Sequence, residues 1–180
     1  MAATIQNFKA ALGSGGARPN QFKVIIPGLD TNKMLLASGA SLPGFSVGTV
    51  PVPYRGKVVN FAGEKTFQPW TVTFQNDNEF SNREYFERWN YNISNNDTIG
   101  GRLTDYFQDI SVFQLDRNSD INFLRRYDFK NAFPTEVSEI ALDYAQGDSI
   151  ETFSVTFTYD YFTFKDGARP TIIPSSDLGN

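Results

Sequence analysis

One segment of the chain alternates between apolar and polar residues from Thr152 to Tyr161. The apolar positions are Phe153, Val155, Phe157, Tyr159 and Tyr161, and the positions between them are Thr, Ser or Asp. Successive side chains of a β-strand point to opposite faces, so the pattern predicts a strand with one buried face and one wet face. We therefore predict a strand from Ile150 to Phe164.

Similar runs along the chain indicate a mostly β fold. The predicted strands cover residues 21–26, 56–61, 70–75, 110–115, 124–130 and 139–144, and the short run 33–37 is ambiguous. Gln146, Gly147 and Asp148 suit a hairpin turn between the last two strands. The fold class that follows is a β-sandwich or barrel of about eight antiparallel strands.

One α-helix is expected to pack against this sheet. Ser81 with Glu84 has the spacing of a capping box, and Phe80 with Tyr85 lies where a hydrophobic staple would. The apolar residues that follow share one helical face: Tyr85, Phe86, Trp89 and Ile93. Asn95 and Asn96 suit the end of the helix.

The segment Leu42 to Pro53 is unusually rich in proline. Proline cannot donate to the ladder of a central strand, so this stretch is expected to be an edge strand or a projecting loop. Unpaired strand edges are either blunted or used for association.

The two ends differ in composition from the middle. Residues 1–17 contain Ile5, Phe8 and Leu12 followed by Gly13-Ser-Gly-Gly16, which predicts a flexible arm rather than a phosphate-binding loop. The β domain is predicted over residues 18–164, and residues 165–180 form a C-terminal extension. We expect no signal peptide and no membrane anchor.

The chain has no cysteine and no histidine. Disulfides, zinc-finger sites and Ser–His–Asp triads are therefore excluded. The net charge of −4 argues against a surface built to hold nucleic acid. We expect no cofactor and no metal.

The remaining candidates for chemistry are carboxylates and short basic pairs. Glu84 and its neighbours Asp77, Glu79 and Glu87 fit capping and solvation better than catalysis. The residues Asp116, Asn118 and Asp120 lack the glycine and the final glutamate of a calcium loop. The basic pairs Arg125-Arg126 and Arg55-Gly56-Lys57 are too short for a nucleic-acid site and are expected to be solvated side chains at the edge of a strand or loop. The chain is thus expected not to be an enzyme, although a carboxylate enzyme and a sugar-binding β-sandwich module stay open as alternatives.

Five ordered stretches resemble the tail tube proteins of contractile-tailed bacteriophages, particularly those of T-even-like myoviruses. They are Ala17-Arg-Pro-Asn-Gln-Phe22, Leu42-Pro-Gly44, the run Phe61 to Asp77, the run Phe133 to Tyr144 and the run Ile150 to Tyr161. The resemblance implies a virion structural protein, made in the host bacterial cytoplasm. It also implies hexameric rings stacked into a hollow tube, through which the genome is ejected inside a contractile sheath.

The partners that the resemblance implies are other copies of the chain, the tail sheath protein, baseplate tube-initiator proteins and a tape measure protein inside the lumen. DNA would pass through without specific binding. On this view the proline-rich projection is the candidate for ring-to-ring contact, with Val50, Pro51, Val52, Pro53, Tyr54 and Arg55 as its self-association residues; a rigid surface loop is the alternative. A tube-initiating baseplate protein or the tube of a secretion or injection particle also stays open.

Overall fold

The computed structural model describes residues 4–12, 16–93, 106–116, 119–145 and 147–167. Its elements are α1 (Ile5–Leu12), β1 (Phe22–Ile25), α2 (Thr31–Met34), β2 (Ala37–Ala40), β3 (Phe45–Tyr54), β4 (Lys57–Phe67), β5 (Trp70–Gln75), α3 (Ser81–Ile93), β6 (Gln108–Asp116), β7 (Ser119–Val137), β8 (Thr152–Thr158) and β9 (Tyr161–Asp166). The predicted helix end at Asn95 and Asn96, most of the glycine run after α1 and the extension from residue 168 lie outside the described residues.

Seven of the described strands form one antiparallel sheet in the order β1-β6-β7-β8-β5-β2, and β9 pairs with β7 on the edge opposite to β6. The long strand β7 belongs to both halves of this sheet. Its first part pairs with β6 and β9, and its last part, from Phe133 to Val137, pairs with β8. The mostly β fold class predicted from the sequence is confirmed.

The two halves of the sheet fold over each other around an aromatic core. Trp70 of β5 stacks on Phe129 of β7 with 4.5 Å between ring centroids, although these strands lie in different halves of the sheet. The predicted alternation of β5 is confirmed, since Trp70, Val72 and Phe74 are all buried. A core shared by both halves makes the domain a sandwich.

Helix α3 also packs against this core. Phe86 is fully buried, with its ring centroid 5.0 Å from that of Phe74. Trp89 is also buried, and its indole N–H donates to the carbonyl oxygen of Tyr106 at 2.8 Å. The predicted inward face of the helix is therefore confirmed.

The predicted capping box at the start of α3 is wrong. Asp77 takes the capping role, since its carboxylate accepts the Ser81 hydroxyl and the Asn82 backbone N–H, the latter at 3.1 Å. Glu84 instead pairs with Arg88 one turn later, at 2.6 Å. The sequence spacing was suitable, but a carboxylate in the preceding loop is the stronger acceptor.

The strand predicted from Ile150 to Phe164 is interrupted at Tyr159 and at the bend of Asp160, between β8 and β9. Beyond this break the inward position moves by one residue, so that Tyr161 is about half exposed while Phe162 packs on the rings of Phe129 and Tyr159. The placement of Tyr161 on the buried face was therefore wrong. A single residue inserted at a bend exchanges the two faces of a strand.

The strand predicted over residues 139–144 is also wrong. Strand β7 ends at Val137, β8 begins at Thr152, and the described residues between them, 138–145 and 147–151, form no helix or strand. The tight hairpin turn expected around Gly147 therefore does not join two paired strands. The ambiguous run 33–37 is the end of α2 and the beginning of β2.

Candidate functional site

The proline-rich segment forms a hairpin that stands apart from the main sheet. We use "the hairpin" for residues 45–67, which comprise β3 and β4 paired only with each other in the described part of the chain. Every residue of β3 is exposed, and β4 is nearly as open. At about 3.3 Å per residue, strands of this length extend roughly 30 Å.

Aromatic side chains fix the base of the hairpin to the domain. Phe67 packs edge-on against Phe162 of β9, with 5.4 Å between ring centroids, and Phe45 lies 6.2 Å from the same ring. The Lys65 ammonium lies 4.1 Å from the centre of the Phe45 ring, within range of a cation–π interaction. The direction in which the hairpin leaves the domain is therefore defined at its base.

Two glycines face each other where the pairing of β3 and β4 shifts register. A Cβ atom added at Gly63 would lie 3.1 Å from the backbone carbonyl of Gly48. The strands approach too closely here for a larger residue on β4 to fit without a shift. A bulge of this kind increases the local twist of a strand pair.

The tip is a two-residue turn. Tyr54 pairs with Lys57, and the residues between them, Arg55 and Gly56, have φ angles of 47° and 81°. Positive φ at both central positions is the signature of a type I′ turn. Such a turn closes a regular ladder, so the hairpin is preformed up to its tip.

The two outer edges of the hairpin are not equivalent. Pairs in an antiparallel ladder alternate between hydrogen-bonded and non-hydrogen-bonded, and a two-residue turn closes on a hydrogen-bonded pair. Pro53 and Pro51 therefore occupy positions whose backbone nitrogen faces away from β4. The outer edge of β3 lacks donors at both positions, whereas the outer edge of β4 keeps its donors at Val58 and Asn60.

The candidate self-association residues all lie on the outer half of β3 and at the tip. Val50, Val52 and Tyr54 are between 42% and 62% exposed, which leaves apolar surface with no cover from the described residues. An isolated two-stranded hairpin is marginally stable in water, and a contiguous exposed apolar surface marks an interaction site. The structure thus brings these residues together on one projecting element.

A second exposed element is the connection between β7 and β8, where the sequence predicted a strand over residues 139–144 and a hairpin turn at residues 146–148. We call residues 138–151 "the acidic loop", because it contains four carboxylates and no basic residue: Glu139, Asp143, Asp148 and Glu151. Leu142 is 81% exposed and Tyr144 is completely exposed. The loop borders an open cavity of about 660 Å³.

Comparison with known proteins identifies the family. A family model described as "Phage tail tube protein" matches residues 17–165. The tail tube protein gp19 of Enterobacteria phage T4 is 33% identical over 148 residues, covering 81% of this chain and 90% of that protein. The chain belongs to the phage tail tube protein family. It is accordingly a structural protein of the tail and a component of the virion.

Solved structures share the tail tube fold described above. A sheath/tube terminator of an extracellular contractile injection system has a TM-score of 0.61 and 17% identity, covering 81% of this chain and 93% of that one. A chain of the sheath–tube complex of such a system has a TM-score of 0.59 and 15% identity, covering 92% and 99%. At these identities the likeness concerns the fold.

The carboxylates near α3 are used within the tail tube domain itself. Burial alone would raise the pKa of Asp77, but hydrogen bonds from Ser81 and from the Asn82 N–H hold that pKa below its usual value. Glu87 pairs with Arg83 at 2.6 Å, one helical turn away. These contacts are those of a capped, solvated helix.

The basic pair Arg125-Arg126 is likewise engaged on the sheet. The Arg126 guanidinium donates to Asp128 at 2.5 Å, and Ser111 donates to the same oxygen at 2.6 Å. Desolvation would raise the pKa of Asp128, but these hydrogen bonds and the charge of Arg126 lower it. Arg125 lies 3.5 Å from Asp166 and 4.3 Å from the centre of the Phe164 ring.

Within the described ranges, no group of three or more acidic side chains has the arrangement of a metal site. Asn118, one member of the calcium-like spacing, lies outside them. None of the described helices is long and apolar enough to cross a membrane.

Proposed function

We propose that this tail tube protein forms hexameric rings that stack into a hollow tube, and that the hairpin makes the contact between rings. The observation that carries the proposal is an apolar, preformed hairpin about 30 Å long that nothing in the described part of the chain covers. Residues 50–55 at its outer end are the proposed self-association residues.

The proposed conduit carries the genome inside a contractile sheath without catalysis. Its partners are further copies of the chain, the sheath protein, baseplate initiator proteins and a tape measure protein in the lumen. Support for the sheath comes from the tube fold found in a sheath–tube complex. A net charge of −4 per subunit also suits passage of DNA, because phosphates would be repelled rather than held.

A tube subunit of an injection particle is the second candidate, because the two solved structures compared above come from such particles. The sequence relationship favours the phage tail, since gp19 of phage T4 is 33% identical and the injection-system chains are 15–17% identical. In either case residues 18–164 form the assembling unit, preceded by an arm and followed by an extension.

The test compares assembly of the wild type with that of a hairpin variant. Purified protein is incubated over a concentration series, with and without isolated baseplates, and examined by negative-stain electron microscopy and analytical ultracentrifugation. Wild type is expected to give stacked rings or hollow tubes. The double variant Val50→Asp/Val52→Asp is expected to stay folded but unassembled, because it places charges on the proposed contact.

Leu35→Asp is the matched control, since Leu35 is 75% exposed and lies outside the hairpin. It is expected to assemble like the wild type. A wild-type chain that remains monomeric at every concentration and fails to extend baseplates contradicts the proposal. Normal tubes from the double variant would remove the hairpin from the ring contact.

A further inference from the structure

We infer that the acidic loop of one copy pairs with the outer edge of β4 in a second copy, adding residues 139–144 as a strand to the hairpin. The inference rests on the proposed self-assembly and names the surface that the hairpin meets. Two exposed elements of the same chain complement each other: a segment with the pattern of a strand, and a strand edge with backbone donors available for pairing.

The first element is a segment with the pattern of a strand that pairs with none of the described strands. Residues 139–144 alternate so that Ile140, Leu142 and Tyr144 share one face. Ile140 touches the domain core, whereas Leu142 and Tyr144 extend away from it and are exposed. A segment of this pattern becomes a strand once a neighbouring edge supplies its backbone hydrogen bonds.

The second element is an edge with free donors. The outer edge of β3 is blunted by Pro51 and Pro53, but β4 carries no proline. β4 also exposes apolar side chains beside that edge, since Val58 is 62% and Phe61 57% exposed. Strand addition is therefore favoured on β4 rather than on β3.

Charge selects the same pair of elements. The acidic loop contains four carboxylates and no basic residue, whereas the hairpin contains Arg55, Lys57 and Lys65 against the single acid Glu64. Opposite charges steer two surfaces together and set their register, and like charges would oppose pairing of two acidic loops. The occupant of the β4 edge is thus a second copy, presented through its acidic loop.

Disulfide trapping tests this pairing, and the absence of native cysteine makes the background low. A Leu142→Cys chain carrying a tag is co-assembled with an untagged chain that has cysteine at position 58, 59, 60 or 61 in turn. Scanning four positions samples both faces of β4 and several registers. After mild oxidation, heterodimers are resolved by mass on a non-reducing gel.

At least one β4 position is expected to give on the order of tenfold or more heterodimer than the Leu35→Cys control, because apposition raises the effective concentration of the thiols. Tubes that form without such enrichment overturn the inference and leave the proposed tube intact. An untagged Phe8→Cys chain is included as a competing partner. If it gives more heterodimer than every β4 position, the acidic loop contacts α1 instead and the inference is overturned. Failure of the wild type to assemble at all would overturn both.

Charge reversal gives a second, independent readout. Glu139→Lys/Asp143→Lys is expected to reduce tube yield, and adding Arg55→Glu/Lys57→Glu to the same chain is expected to restore it. All four positions are exposed, with Lys57 at the first residue of β4 and the other three in the loop or the turn, and folding is checked by unchanged thermal unfolding. A fourfold variant that recovers nothing contradicts the pairing of these two elements.

Discussion

The side-chain amide of Asn131 donates a hydrogen bond of 2.6 Å to the carboxylate of Asp160, at the point where β7 and the β8–β9 segment bend together. The Asp160 backbone N–H also donates to the Lys130 carbonyl oxygen at 3.1 Å. Asn131 has a φ of 54°, a left-handed conformation that asparagine adopts more readily than most residues. This pair therefore holds the corner at which one sheet becomes a sandwich.

Substitution of Asn131 should separate the two contributions to this corner. Asn131→Ala loses the hydrogen bond and places an alanine in the left-handed region, and is expected to lower the free energy of unfolding by about 1–2 kcal/mol. Asn131→Gly keeps the conformation and should lose less. Urea unfolding of both variants measures the difference; equal stability of the alanine variant and wild type would show that the corner is held elsewhere.

The buried face of β8 should be intolerant of change. Phe157 is fully buried between Trp70, Phe86 and Trp89. Phe157→Ala is expected to cost about 3–5 kcal/mol, and Phe157→Asp to prevent soluble folding. Phe164→Ala is the control, because that ring is more than half exposed. Unchanged thermal unfolding of the aspartate variant would contradict the assignment of this face to the core.

Removal of residues 2–16 should affect assembly and leave folding intact. Helix α1 has no buried residue, and Ile5, Phe8 and Leu12 lie exposed along it. The truncated chain is expected to unfold at the wild-type temperature but to form fewer or shorter tubes, as counted in electron micrographs. Tubes of normal number and length would show that the arm is dispensable.

The cap of α3 predicts a defined pH dependence. The folded-state pKa of Asp77 is lowered, so its contribution is present above the pKa of about 3.9 typical of an unfolded chain. That contribution is lost as the pH falls through the folded-state value. Asp77→Ala is expected to cost about 1 kcal/mol at pH 7 and progressively less below pH 4.

Thermal unfolding as a function of pH checks this expectation, with Glu79→Ala as the exposed neighbouring control. A constant difference between Asp77→Ala and wild type from pH 7 down to pH 2 would contradict a role for the charged carboxylate in the cap.

The elements that could be predicted from the sequence are those whose side chains meet one continuous core. Two patterns in the sequence correctly indicated which side chains are buried in the core. They are the alternation of Trp70, Val72 and Phe74 and the helical spacing of Phe86 and Trp89. The projecting segment was predictable for a different reason, because the prolines of β3 restrict where a strand can lie.

The errors share a different cause. Alternation shows which face of a segment is apolar, but it does not show whether a neighbouring backbone edge exists. Residues 139–144 have the pattern without the edge, and Asp160 inserts a bend that leaves the pattern of Thr152 to Tyr161 unbroken in the sequence. The acidic loop was missed as a candidate surface because its charge and apolar residues were read as parts of a paired strand.

A cryo-electron microscopy reconstruction of assembled tubes tests the central claim most directly. The account predicts rings stacked into a hollow tube in which residues 50–55 of each copy are buried against another copy. Tubes in which those residues contact no other copy and face solvent, either in the lumen or on the outer surface, would contradict it.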